Sequence, residues 1–159
     1  MSEAYSHLNK NRKALTTIRK SWKIKAHPKL STLYMKICKD KTDKAKFRTA
    51  KKLYKINPSD FESNLFLAKI AFKTNNNLKA RKYAKKALML SPNKDVYTLL
   101  LDIENKESKS SSLAKSLKTK VENAVGNFSW KCDKCKKEYS EWHRECDDCK
   151  ELDKIQWTD

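Results

Sequence analysis

PSDFESNLFLAKIAFKTNNNLKARKYAKKALMLSP, running from Pro58 to Pro92, is the stretch that decides the fold. Its two prolines lie 34 residues apart, each after a polar residue that closes a helical pattern and each before a new one. Ser59-Asp60-Phe61-Glu62 has the S-x-x-E form of a capping box, in which the serine hydroxyl and the glutamate carboxylate satisfy orphan amides. The helix it opens carries Leu65, Ala68, Ile70, Ala71 and Phe72 and reaches the polar turn Asn75-Asn76-Asn77. A second helix runs from Leu78 to Leu90 and stops at Ser91-Pro92. If Phe61 is the first position of a 34-residue unit, Leu67, Ala68 and Ala71 fall in its first helix and Ala80, Ala84 and Ala87 in its second. Small residues at Ala68, Ala80 and Ala87 are what two close-packed antiparallel helices require, because larger side chains would push the axes apart. The pattern is that of a two-helix repeat of 34 residues, with Asn64 at a position where an aromatic residue is usual.

Upstream, Leu15, Ile18 and Trp22 mark a helix that breaks at His27-Pro28, and Leu30, Leu33, Tyr34 and Ile37 mark the next. Thr42-Asp43 offers an N-cap for a helix carrying Phe47, Ala50, Leu53 and Tyr54. This preceding unit is a degenerate repeat, with Lys46 and Leu53 where small residues are expected. Downstream, Val96 to Ile103 starts a sixth helix, Ser108 to Ser112 loosens the chain, and a last helix lies near Leu113–Val125.

The 159 residues contain one glycine, Gly126, and three prolines, which excludes scaffolds built on glycine-rich phosphate loops or nucleophile elbows. A β-rich body would need turn glycines that are not present. Apolar residues make up 38%, so the core is thin or elongated. No apolar stretch approaches the about 18 residues of a membrane span, and no signal peptide is visible. The expected location is the cytoplasm or the cytoplasmic face of the inner membrane.

Charge divides the chain. From Asn127 onward there are seven basic and nine acidic residues, net −2, whereas the remainder has 30 basic and 10 acidic, net +20. The reading is therefore tetratricopeptide-like repeats over 1–107, a linker with the last helix over 108–126, and a small module over 127–159.

That module holds Cys132-x2-Cys135-x10-Cys146-x2-Cys149. Two residues between cysteines let both thiolates of a tight turn reach one ion, and two such knuckles complete a tetrahedral sulfur shell with Zn–S bonds of roughly 2.3 Å. In a reducing compartment this spacing favours a metal over disulfides. Zinc is preferred, and iron in a rubredoxin-like site is the chemical alternative. Trp130, Tyr139, Trp142, Ile155 and Trp157 supply apolar packing. Lys136 and Lys150 stand where glycine often follows the second cysteine of a knuckle, so both are expected in the left-handed conformation, their ammonium groups offsetting the negative centre. His143 is superfluous once four thiolates fill the shell, and Cys38 reads as a buried small apolar residue.

The combined pattern resembles the C-terminal part of the alphaproteobacterial HemY-like family, tetratricopeptide membrane proteins associated by name with haem biosynthesis. The matching residues are Ser21-Trp22, His27-Pro28-x-Leu30, Leu33-Tyr34 and Asn57-Pro58, then Trp130-x-Cys132-Asp133-x-Cys135, Glu141-Trp142-His143, Cys146, Cys149 and Ile155-Gln156-Trp157. The resemblance spans the chain from about residue 10. The lipopolysaccharide assembly protein B family is similar in architecture, with a rubredoxin-like tail after its repeats. Both families carry N-terminal transmembrane anchoring, and the expectation for this sequence is a soluble fragment, a split product or a shortened relative.

The resulting expectation is a non-enzymatic scaffold whose helical groove offers Leu65, Lys69, Phe72 and Lys73 to an acidic-hydrophobic protein segment. A basic zinc-ribbon protein binding nucleic acid is the alternative, and the body's charge also suits peripheral contact with an anionic membrane. Sequence-specific nucleic-acid binding is disfavoured because there is no arginine-rich run and the metal module is acidic. No Ser-His-Asp or paired-carboxylate constellation and no small-molecule substrate site is legible.

Overall fold

A computed structural model describes residues 11–107, 111–124, 129–139 and 141–158. The chain divides into two compact units, Met1–Ala124 and Val125–Asp159. The described part of the first consists of seven helices: α1 (Asn11–Ile24), α2 (Pro28–Cys38), α3 (Asp43–Tyr54), α4 (Phe61–Lys73), α5 (Asn77–Leu90), α6 (Lys94–Glu107) and α7 (Ser112–Asn123). None is long and apolar enough to cross a membrane. The second contains a three-stranded antiparallel sheet of β1 (Ser129–Cys132), β2 (Glu138–Tyr139) and β3 (Ile155–Thr158), in the order β2-β1-β3.

The 34-residue unit is the α4–α5 hairpin, whose two helices make the most extensive contact among the described elements. Ala68, Ala71, Ala80, Ala84 and Ala87 are all fully buried along its seam, as the alanine spacing requires. Helix α4 is the centre of the unit because both its sides are covered. Leu65, Ala68 and Ala71 pack with α5 and α6 against Val96, Leu99 and Ile103, while Phe66 and Leu67 join Ile18, Trp22, Tyr34 and Leu53 on the other side. Phe66 meets Trp22 edge-on, with ring centroids 5.8 Å apart. Helices α2, α4 and α6 touch in succession, α3 and α5 pack on α4, and α7 packs on α6. The contact between α2 and α3 is much less extensive, consistent with the bulky Leu53 and the half-buried Lys46 at the small-residue positions.

Helix ends follow local chemistry. Thr42 caps α3 by accepting from the Ala45 amide at 3.2 Å, and Asn76 caps α5 by accepting from Lys79 at 3.2 Å. The expected capping box is displaced by one residue: Asp60, not Ser59, is the N-cap of α4, its carboxylate accepting from the Ser63 amide at 3.0 Å. A full negative charge at the helix N-terminus also interacts favourably with the helix dipole, which a hydroxyl does not match. Asn64, the departure from the repeat pattern, has its own purpose. Its amide donates to the carbonyls of Pro58 (2.9 Å) and Asp60 (2.8 Å), pinning the incoming loop to the helix.

The last helix belongs to the first unit rather than to a linker, with Ala114 and Leu117 buried and Leu117 joined to the α4–α6 core. Ser111 caps it, accepting from the Ala114 amide at 3.0 Å. Its hydroxyl also donates to Glu104 at 2.8 Å, and Glu104 in turn accepts from Arg81 of α5 at 2.9 Å. Residues 108–110, where the chain was expected to loosen, and 125–128, which include the boundary Gly126, lie outside the described residues.

Two stability outcomes follow from this packing. Ala80→Leu should overpack the seam and lower the urea unfolding free energy by about 1–3 kcal/mol. Glu62, in the first turn of α4, has its carboxyl raised to about 8 by burial, with Lys69 opposing and Asp60 and Asp95 reinforcing the shift. The folded state therefore keeps a proton that the unfolded chain releases from about 4.5 upward, and that contribution to stability is lost as pH rises through about 8. Glu62→Gln should leave the melting temperature unchanged at pH 4 and raise it at pH 9. An unchanged melting temperature at pH 9 would contradict the burial of this carboxylate.

Candidate metal centre

The two cysteine knuckles are built alike. In the first, the Lys136 amide donates to the Cys132 carbonyl at 2.8 Å and the Cys132 amide to the Lys137 carbonyl at 3.0 Å. In the second, Lys150 donates to the Cys146 carbonyl at 2.8 Å and Cys146 to the Glu151 carbonyl at 2.9 Å. Closing each turn takes Lys136 and Lys150 to φ 63° and 60°, the left-handed conformation expected for residues standing in for glycine. Non-glycine residues reach it at a cost of about 1 kcal/mol each. The sheet places the first knuckle at the end of β1, with Cys132 paired to Ile155 of β3.

These turns bring the four sulfurs within 4.8 Å of one another. The Cys132–Cys149 and Cys135–Cys146 sulfur distances are 3.5 and 3.4 Å, far beyond a disulfide bond of about 2.05 Å and near the edge of a metal–thiolate tetrahedron. Cys132 and Cys146 are fully buried, whereas Cys135 and Cys149 are half-buried. Ile155 is buried behind them, with Trp130 and Tyr139 packed alongside, and Trp130 meets Trp157 edge-on at 5.4 Å. Trp142, expected in this core, is instead 49% exposed, because it lies in the irregular segment after β2 rather than on a strand.

The electrostatics suit a cation. Four thiols this close cannot all ionise unaided. Cys146 is drawn down to about 6, chiefly by the Tyr139 hydroxyl 3.1 Å from its sulfur, with backbone amides of Cys149 and Asp148 adding to the effect. Cys135 is pushed up to about 12: the Lys137 amide favours its thiolate, but burial and the three neighbouring sulfurs outweigh that. A dication at the centre resolves the conflict by stabilising every thiolate at once. The donor set therefore fits a thiolate-bound metal ion.

Two lysines inside the first knuckle and just after it also interact with the sulfurs. Lys134 is held protonated first by Glu151 and then by Cys149 and Cys132, and Lys137 by Asp147 and then, more weakly, by Cys146. Tyr139 is the contributor that sequence reading missed in this role. Its placement depends on the Trp130↔Tyr139 register across β1 and β2, which cysteine spacing does not encode. His143 packs against the Tyr139 ring at 5.4 Å and is outside the sulfur cluster. Cys38 is half-buried in the α1–α4 core, and burial raises its thiol.

In the helical unit, three of the four groove residues come together. Lys69, Phe72 and Lys73 line a recess of about 360 Å³ between α4 and α6 with Asp95, Thr98, Leu99 and Asp102. Leu65 does not reach it, being 2% exposed in the seam toward α5 and α6. Lys69 bonds Asp95 at 2.8 Å, so the lining carries both signs of charge instead of being basic. Comparison of the chain with protein-family profiles and with curated proteins finds no match.

Removal of one ligand should be fatal only locally. Cys146→Ser should abolish stoichiometric metal binding and unfold the C-terminal unit while the helical circular-dichroism signal is largely kept, because the units have separate cores. Tyr139→Phe should retain one ion per chain but weaken it by about tenfold in competition with a chromophoric chelator, as loss of a hydrogen bond to a ligand does. Full-affinity binding by the phenylalanine variant would show the hydroxyl to be incidental.

Proposed function

We propose that the protein is a non-enzymatic scaffold of tetratricopeptide type, with a structural zinc ribbon at its C-terminus and the α4–α6 recess as the partner site. The observation that carries this reading is the recess itself. Its apolar floor, from Phe72 and Leu99, is framed by two lysines and two aspartates. Such a lining takes an apolar side chain from a partner segment whose flanking charges pair with the rim. Lys73 supports an acidic neighbour on that segment, and Asp102 a basic one, which adds a basic position to the acidic-hydrophobic segment expected from sequence.

Four sulfur ligands leave no position for a substrate or water on the ion, which supports a structural over a catalytic role. Zinc is the preferred ion as the usual occupant of closed four-cysteine structural sites, although a rubredoxin-like iron would use the same paired knuckles. The HemY-like relationship, with association to haem biosynthesis or the cell envelope, rests on the tryptophans, the cysteines and the 34-residue spacing.

Metal analysis of purified protein should give one zinc per chain and no visible charge-transfer absorption; a red protein would support the iron reading. Phe72→Ser and Lys73→Glu should each sharply reduce co-purification of a specific partner at native salt, with unfolding midpoints nearly unchanged for the exposed lysine. Unaltered co-purification in both variants would remove the recess as the partner site.

A further inference from the structure

Net charge is sorted by helix. Helices α1, α3, α5 and α7 carry +5, +4, +5 and +2, whereas α2, α4 and α6, which touch in succession, carry +2, +1 and −2. A lysine-rich composition alone would not produce this division, because α6 has exposed positions too and fills two of them with acids, Asp102 and Glu107.

On α5, Leu78, Lys82, Lys85 and Met89 follow one another at intervals of four, three and four residues, forming a single stripe opposite the buried Ala80, Ala84 and Ala87. Leu78 is 84% and Met89 86% exposed. On α3 and its C-cap, Lys44, Arg48, Lys51 and Lys55 repeat the spacing and are all exposed, opposite Ala50 and Leu53. The two helices are neighbours: Tyr54 meets Tyr83 edge-on at 5.2 Å, and the Lys79 ammonium lies 4.9 Å from the Phe47 ring. Among the described residues, no carboxylate pairs with any of the six cations in these stripes. The combined face is a broad sheet of unneutralised positive charge with bare apolar side chains at both ends of α5.

We propose that this outward face of α3 and α5 docks on the surface of an anionic lipid bilayer. Lysines meet the phosphate layer through long stems that let the ammonium groups stay in the headgroup region. Leu78 and Met89, with the half-exposed Leu90, then leave water for the acyl boundary, as the apolar residues of an interfacial helix do. A nucleic-acid duplex would satisfy the charge and leave Leu78 and Met89 without a function. Five of the six cations are lysines, so bidentate arginine–phosphate pairing is nearly absent, and neither stripe holds an aromatic ring for stacking on bases.

The test uses the full chain in vesicle sedimentation, with phosphatidylcholine alone and with about 30% phosphatidylglycerol, at about 50 and 200 mM salt. Binding should require the anionic lipid and weaken at the higher salt. Lys82→Gln with Lys85→Gln should reduce partitioning about tenfold or more. Leu78→Ser with Met89→Ser should also reduce it severalfold, at both salt concentrations, since the apolar contribution is not screened. All four positions are exposed, so the thermal melts of both variants should match the parent. Failure to bind the anionic vesicles, or equal binding to phosphatidylcholine alone, would overturn the proposal. So would a charge variant that loses binding beside a serine variant that does not. In that last case, displacement from vesicles by duplex DNA would identify nucleic acid as the occupant of the basic face.

Discussion

Everything in the helical unit depends on how closely α4 and α5 approach. Five alanines, at 68, 71, 80, 84 and 87, put methyl groups where longer side chains would hold the helices apart, so the two backbones approach closely. Close approach makes α4 a helix with two buried sides, and a helix buried on two sides joins two cores into one unit. With so little apolar material in the sequence, alanine contact also serves economy: it buries backbone and methyl groups without requiring large side chains that this composition lacks. Dispersion across such a seam accumulates from many small contacts.

The C-terminal unit solves the opposite problem. About 30 residues cannot bury enough apolar surface to fold unaided, and among the described residues of this unit only Cys132, Cys146 and Ile155 are buried. The sulfur shell takes the place of a core. Its twin knuckles accept two strained lysine conformations, and four sulfurs this close hold the Cys135 thiol protonated when no cation is there to share. On the proposed zinc reading, folding and ion binding would be one process. Tyr139 ties the shell to the sheet, since the same residue that pairs with Trp130 across β1 and β2 places its hydroxyl on Cys146.

The legible parts of this structure were those in which a residue type answers a local demand. Alanines at seam spacing, Thr42 before α3, and lysines forced left-handed after Cys135 and Cys149 all act within a few residues of themselves. The illegible parts depended on a second element. Leu65 and Phe72 are both apolar residues of α4, and periodicity cannot separate them when two sides of the helix are covered. Lys69 read as a free cation because Asp95 lies 26 positions away, on α6. The shift from Ser59 to Asp60 as the cap was a contest between two adequate residues, decided by where α4 begins.

The sorting of charge follows from the same geometry as the seam. A helix with two covered sides has little room for ammonium groups, so α4 carries only Lys69 and Lys73. Helices α3 and α5 bury narrow stripes of small or apolar residues and leave wide faces to solvent, where lysines are tolerated. Tolerance explains their presence but not the absence of compensating acids, since Asp43 is the sole acid on these two helices. Uncompensated like charges on adjacent faces repel one another and oppose compaction. Binding a polyanion removes that repulsion, and ligand binding to the folded state alone adds stability. On the proposed membrane reading, the charge arrangement that opposes compaction in isolation is the one that would strengthen the fold on an anionic surface.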